Sequence, residues 1–566
     1  MKKKRSVWSS YLVKLFSLII FISSLTFADN QISPEVKTRS EAAAHEKAAS
    51  VFENLLNQFK EGDFSQKIAV IKQITRLNDK RTRLVFERLV HDRLFYAKDA
   101  TQRIYSAETT PGGYRLTDVI SGQNIGEVSQ GSVAKIKINN RLRKTLRTSL
   151  AQLDMSVKDP DIRLKAVKSI GNVLNEDTVK FLRTILPTET DYDVRTAIKA
   201  SLAMVDLHAD DLNVRLEAIK SLSVTLDPEF NTELKELLEK DSAGNYLEQD
   251  PQIIEAATNA IKKIESRVSF YEHLQTLFFG LSLGSVLVLA AIGLAITFGV
   301  MGVINMAHGE LIMLGAYTTY VVQLLMPNHI DIFLFIAIPA AFAVSGLFGI
   351  LIERGVIRFL YGRPLETLLA TFGISLLLQQ LVRTVFSPLN RSVTTPSWMS
   401  GSLEINSVLT LTLNRLYIIG FTLLVFLMLL AVLKKTRLGL EVRAVAQNRS
   451  MAKAMGIKTE WVDAMTFGLG SGIAGVAGVA LSQLTNVGPN LGQAYIIDSF
   501  MVVVFGGVGN LWGAMISGLS LGLANKFLEP YAGAVLAKIL VLLFIILFIQ
   551  KRPRGLFPQK GRAAEG

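Results

Sequence analysis

The chain contains no cysteine, and only 6 histidines and 4 tryptophans. Without cysteine, disulfides and thiolate chemistry are excluded, and cysteine usage says nothing about the compartment. The histidines of the polar region up to Arg267, His45, His91 and His208, are scattered singly, so no metal centre is expected among them. No nucleophile constellation stands out. A Gly-x-x-x-x-Gly-Lys phosphate loop is missing as well, so the chain does not bind ATP in the P-loop manner. Charged residues make up 19% of the 566 residues and apolar residues 49%. That is too apolar for an ordinary soluble protein and too charged for one embedded in a bilayer throughout. Residues up to about Arg267 are polar and helix-like, and long apolar runs follow. Two domains are therefore expected, one polar and one in the bilayer. The net charge of +13 fits basic cytoplasmic loops better than nucleic acid.

"MKKKR" followed by "YLVKLFSLIIFISSL" and "TFA" reads as a secretory signal peptide over residues 1–28, with an uncleaved anchor helix as the alternative. Either way, residues 29–268 are expected outside the cytoplasm. Three stretches there resemble one another: "DPDIRLKAVKSI" from Asp159, "DYDVRTAIKASL" from Asp191 and "DLNVRLEAIKSL" from Asp211. A weaker fourth, "DPQIIEAATNAI", starts at Asp250. Each opens on an aspartate suited to cap a helix and continues with apolar residues at helical spacing. The pattern resembles HEAT-type repeats over about 150–266. A small β element is expected in "GYRLTDVISGQNIGEVSQGSVAKIKINN".

From Leu277 onward, uncharged spans alternate with loops. The loop around Arg354, Arg358 and Arg363, the segment Lys434–Trp461 and the tail 553–566 are basic, so they face the cytoplasm, and the loop 387–415 faces out. An exported N-terminus and a cytoplasmic C-terminus need an odd number of crossings, and nine fits if 499–508 is a short pass. The expected fold is all-α: a polytopic transmembrane helical bundle over 269–552, about eight or nine spans, preceded by a mainly α-helical extracytoplasmic domain. Gly468 and Gly472, Gly509 and Gly513, and Gly518 and Gly522 are each four apart, a spacing that lets helices approach closely.

The polar groups inside spans are the candidates for a solute path: Asn305, His308 and Glu310 in "INMAHGE", and Thr371, Gln379 and Gln380 in "TFGISLLLQQ". The alternative for His308 and Glu310 is a mutual pair at the membrane interface. Gly506, Gly507 and Gly509 are expected to break a helix, either lining the path or only permitting packing. The segment Lys434–Trp461 has helix formers and basic residues, and is suited to dock in a groove of a partner protein.

Three motifs then become specific. "GVINMAHGELIMLGAY" (Gly302–Tyr317), "RLGLEVRAVAQNRSMAKAMGI" (Arg437–Ile457) and "FGGVGNLWGAMISG" (Phe505–Gly518) resemble the permease subunit of branched-chain amino acid-type ABC importers, from about Phe270 to the end. The resemblance implies a permease that is not an enzyme and needs no cofactor of its own. ATP would be bound by two separate ATPase subunits, beside a second permease subunit in a heterodimer and a periplasmic substrate-binding protein. It also implies that Glu441–Gly456 is the ATPase-coupling loop, with Glu441, Arg443, Ala444, Ala446 and Gly456 as its marked residues. The loop departs from the Glu-Ala-Ala-x-x-x-Gly pattern, since Val442 and Arg443 replace the alanines and Gly456 lies further on. A signal peptide and long polar extension before such a permease resemble the urea ABC transporter permease. That implies urea or a short-chain amide as substrate, in a bacterial inner membrane. The alternatives are a branched-chain amino acid permease and a passive urea channel. The channel needs no docking helix.

Overall fold

The computed structural model describes residues 51–60, 63–77, 79–98, 103–110, 113–171 and 174–557. The expected signal peptide, His45 and the end of the tail lie outside the described residues. Contacts divide the chain into two units, one of Met1–Thr225 with Glu248–Ala256, the other of Leu226–Leu247 with Ala257–Gly566. The expected boundary at 268/269 instead falls inside a single helix, Pro251–Met301. Hydropathy changes there while the backbone does not, because no proline interrupts the helix after its first residue.

In the first unit, helices α1 (Phe64–Leu77), α2 (Thr82–Val90) and α3 (Asn140–Asp154) enclose a core of Phe52, Phe59, Ile71, Phe86 and Leu146. Between α2 and α3 lies an antiparallel sheet of five strands: β1 (Leu94–Ala97), β2 (Ile104–Thr110), β3 (Gly113–Asp118), β4 (Asn124–Val128) and β5 (Val133–Lys135), in the order β4-β3-β2-β1-β5. This corrects the all-α expectation. The β element anticipated after residue 113 is only the half holding β3–β5. The signal for β1, "LFYA", is a four-residue apolar run that periodicity cannot tell from a helical turn.

Helices α4 (Pro160–Gly171), α5 (Glu176–Ile185), α6 (Tyr192–Asp206) and α7 (Leu212–Leu222) follow. Asp191 accepts from the backbone N–H of Asp193 and Val194, Asp211 from that of Asn213, and Asp159 from that of Asp161. These caps satisfy N–H groups that a helix start leaves free. After Asp159 and Asp211 the arginine four residues later braces the turn. Arg163 pairs with buried Glu189 at 2.9 Å and donates to the carbonyls of Val157 and Lys158. Arg215 pairs with Glu248 and donates to the Leu207 carbonyl at 2.9 Å. Arg163 holds the Glu189 carboxyl below the usual carboxylate range. Much of the repeat in the sequence is thus a repeat of helix-start chemistry.

The second unit holds α8 (Pro228–Glu236), most of α9 (Pro251–Met301), α10 (His308–Leu325), α11 (Phe333–Gly355), α12 (Pro364–Phe386), α13 (Leu413–Lys435), the short α14 (Arg437–Gln447) and α15 (Arg449–Ala454), α16 (Thr459–Ser482), α17 (Leu491–Gly506) and α18 (Leu511–Lys551). Six of these helices are long and apolar enough to cross a membrane. Helix α18 is two segments, because Gly533 has φ 76° and ψ 160°. Gly506 of α17 packs on Gly513 in the first segment, and Phe505 packs on Phe544 and Phe548 in the second, so the chain reverses between them.

Helix α16 sits in the middle of this packing, and almost all of its residues are buried. A Cβ on Gly293 of α9 would lie 2.2 Å from the Gly470 carbonyl, and one on Gly315 of α10 would lie 2.1 Å from that of Gly475. On Gly475 it would meet the Ala341 carbonyl of α11 at 2.5 Å. Such close approach is a way for helices to hold together in lipid, where dispersion replaces hydrophobic drive. Gly475→Val is expected to prevent recovery of monodisperse protein, since overpacking a tight seam costs about 1–3 kcal/mol or more. Gly420→Val, at a site with nothing within 4 Å, is expected to be tolerated. Size-exclusion profiles of the two variants in detergent check this; a normal profile for Gly475→Val would refute the seam.

Candidate functional site

The candidate site begins where α9 ends. After Met301 the chain leaves the helix at Gly302, whose φ is +66°. It doubles back, and His308 Nε2 meets the Ala290 carbonyl at 2.9 Å. Ala290 lies 301 − 290 = 11 residues before the end of α9, so α10 starts roughly 16 Å back along that helix. Asn305 turns the chain here by accepting from the Ala307 N–H at 3.0 Å, and the Met306 N–H donates to Thr371 Oγ1 at 3.1 Å. Asn305, His308 and Glu310 are all buried. Glu310 lies in the first turn of α10, where the helix dipole favours a carboxylate.

Helix α12 answers this break with a ridge of polar residues at four-residue steps, Thr367, Thr371, Ser375, Gln379 and Arg383, each next to the last and turned about 40° around the helix from it. Ser375 Oγ donates to Glu310 Oε1 at 3.0 Å and Gln379 Nε2 donates to the same oxygen at 2.6 Å. Arg383 Nη2 donates to Oδ1 of Asn490, the residue before α17, at 2.8 Å. The second oxygen of Glu310, Asn305 Nδ2 and His308 Nδ1 are buried without a hydrogen-bond partner. Leaving such groups unpaired costs of order 1–3 kcal/mol each. These three unmet polar atoms lie within six residues of one another, at the broken start of α10.

The structure brings Glu310, Thr371 and Gln379 to the broken start of α10 with Asn305. His308 and Glu310 do not pair; they point to different helices. Gln380 is exposed and stands off the stripe, one residue from Gln379 and so about 100° around the helix. Ser375, Arg383 and Asn490 escaped the sequence reading, although the four-residue spacing on α12 was there to be seen. Gly506, Gly507 and Gly509 do interrupt the helices: Gly507 and Gly509 have φ +99° and +78° between α17 and α18. A Cβ on Gly507 would lie 2.7 Å from the Phe557 carbonyl, and one on Gly506 would lie 2.5 Å from the Gly513 backbone and 2.7 Å from the Ser517 hydroxyl. They sit in close contacts, and buried polar groups gather instead at the break of residues 302–307.

The basic segment folds as α14 and α15, separated at Asn448, which caps α15 by accepting from the Met451 N–H at 2.9 Å. Val442 and Val445 face inward, and Ala444 and Ala446 are half-buried against the bundle. The outward side carries Leu440, Arg443, Met451 and Met455, with Met455 77% exposed. Arg443 donates to the Leu433 carbonyl, Glu441 is half-buried, and Gly456 ends α15 with φ +87°. Arg449, first in α15, is paired with buried Asp463 of α16, donates to the Tyr361 hydroxyl and lies 3.9 Å above that ring. The segment is thereby fixed to the helix that carries the glycine seam.

Asn305→Leu and Gln379→Leu are expected to lower solute uptake at least tenfold while membrane insertion stays normal. Uptake in cells, with membrane yield as control, checks this, and normal uptake by both returns the residues to a packing role.

A family model described as "Branched-chain amino acid transport system / permease component" matches residues 276–549. The high-affinity branched-chain amino acid transport system permease protein LivH of Salmonella typhimurium is 34% identical over 298 residues, 51% of this chain and 96% of that protein. BraD of Pseudomonas aeruginosa, with the same description, is 32% identical over 295 residues, 50% of this chain and 96% of its own. The ribose import permease protein RbsC of Escherichia coli is 27% identical over 283 residues, 47% of this chain and 84% of its own. No solved structure matches significantly. A relative 34% identical and matched over 96% of its length places the chain in a family: it belongs to the branched-chain amino acid transport system permeases.

Proposed function

We propose that the chain is a permease subunit of an ATP-driven importer of branched-chain amino acids. It forms part of the translocation path at the start of α10 and couples that path to separate ATPase subunits through α14 and α15. The observation that carries this reading is the mechanical connection. Arg449 ties α15 to α16 through Asp463, and α16 meets α10 backbone to backbone at Gly475 and Gly315. A displacement of α15 is transmitted by these contacts to the polar break, because neither contact has slack. The likeness to LivH and BraD supports the amino acid substrate. By the same family likeness, the transporter holds a second permease subunit, two ATPase subunits and a substrate-binding protein. It lies in the plasma membrane, with the basic segments cytoplasmic and the first unit outside.

Urea or a short-chain amide is the second reading. One feature favours it: the long polar region ahead of the spans, since the match to LivH takes up only 51% of this chain. Uptake of labelled leucine and labelled urea by the assembled transporter decides between them. Leucine import without urea import is the expected result, and the reverse overturns the substrate assignment.

Docking is tested on the outward side of the segment, because Ala444 is half-buried. Leu440→Glu and Met451→Glu, at positions 62% and 60% exposed, are expected to abolish co-purification with the ATPase and ATP-dependent uptake without loss of folding. A mismatch of about 4 kcal/mol already weakens binding roughly a thousandfold. Ser402→Glu, in the short hairpin Ser402–Glu404 with Thr410–Thr412, is the tolerated control. Normal assembly of both variants would make the segment a solvated connector.

A further inference from the structure

Glu310 is chemically out of place for a path that carries a neutral solute. It is a carboxylate 1% exposed, at the buried start of α10, with one oxygen taken by Ser375 and Gln379 and the other without a partner. The groups that bond it are neutral. No lysine or arginine is paired with it among the described residues. Urea needs hydrogen bonds and no counter-charge. An ammonium group inside a bilayer needs a carboxylate, because an unpaired charge there is expensive.

The same stripe offers the opposite charge one turn on. Arg383 follows Gln379 by four residues, about 6 Å along α12. One of its nitrogens holds Asn490, and its guanidinium carries five N–H donors in all, so donors remain in a planar fork that fits a carboxylate. Glu310 of α10 is held by Ser375 and Gln379, and Arg383 stands on the next turn of that same α12 ridge, so a base lies one turn beyond the residues that hold the acid. Building on the amino acid importer reading above, we infer that Glu310 and Arg383 receive the zwitterion: the unpartnered oxygen of Glu310 takes the α-ammonium and Arg383 takes the α-carboxylate. The pair would sort solutes by their backbone charges, leaving the aliphatic side chain to be chosen elsewhere.

The experiment is leucine uptake by the assembled transporter in proteoliposomes, with Glu310→Gln, Glu310→Asp, Arg383→Gln and Arg383→Lys. The amide introduced by Glu310→Gln keeps an oxygen for Ser375 and Gln379 and replaces the unpartnered oxygen by a neutral NH2, so the fold is expected to persist. Recovery of the complex and its melting temperature confirm that. Glu310→Gln is expected to lose at least 100-fold in initial rate, with Glu310→Asp retaining a tenth or more of the wild-type rate. Arg383→Gln should lose at least tenfold, with Arg383→Lys partly active. Near-normal uptake by Glu310→Gln overturns the proposal. Equal loss in Glu310→Gln and Glu310→Asp also overturns it, because the role would then be shape and not charge. Wild-type transporter that moves urea and no leucine overturns the underlying substrate reading instead, a result visible before any variant is made.

Discussion

Backbone contact along α16 is the constraint on which the membrane unit depends. Gly470, Gly475 and Gly478 each bring a neighbouring main chain to a distance that a single methyl group would forbid. In water a helix is held by its apolar stripe; in lipid that drive vanishes, and close packing and hydrogen bonds remain. Three helices, α9, α10 and α11, take their positions from this one surface. It follows that the polar break between α9 and α10 is placed by residues that carry no polar group at all.

The hydroxyl groups of this unit show why Glu310 stands apart. Thr318, Thr319, Thr422 and Thr466 donate to the carbonyl four residues before them, at 2.6 to 2.9 Å. These side chains are satisfied within their own helices and need no neighbour. A carboxylate has no donor and cannot do the same. Glu310 must borrow donors from α12, and Ser375 and Gln379 supply them to one oxygen only. The asymmetry between its two oxygens is a property of the site rather than of polar residues in membranes.

Much of this was legible in the sequence. The aspartates at 159, 191 and 211 announced helix starts, and the paired glycines announced close packing, because both signals are local. The sheet was half legible: Gly turns and alternation marked the strands after residue 113, while four apolar residues at 94–97 carried no period. The site was harder. Glu310 and Gln379 were visible as polar residues among apolar ones, yet nothing in the chain said that they meet, since 69 residues separate them. Gln379 and Gln380 could not be told apart until the helix face was known. The glycines at 506–509 were legible as a helix break but left open whether they line a path or permit packing, because sequence reports that a helix stops and not what lies beside it.

Coupling poses the opposite problem to the site, for it must join an aqueous surface to a dry interior. In the proposed transporter the link between surface and interior would be Arg449. Its guanidinium lies at 3.9 Å over the Tyr361 ring, and its charge is met by Asp463, which is 2% exposed. A half-exposed arginine beside a buried carboxylate is held far more firmly than a surface pair, since removing either partner would leave a charge stranded in low dielectric. Asn448 immediately before it ends α14 and starts α15, so the helix is broken where the anchor begins. The outward methionines of α15 are pliable and suited to a partner surface, while Arg449 is rigid and faces in. In the proposed coupling role, pliability outside and rigidity inside, one turn apart, would let a partner surface be met by the methionines while Arg449 holds the segment to α16.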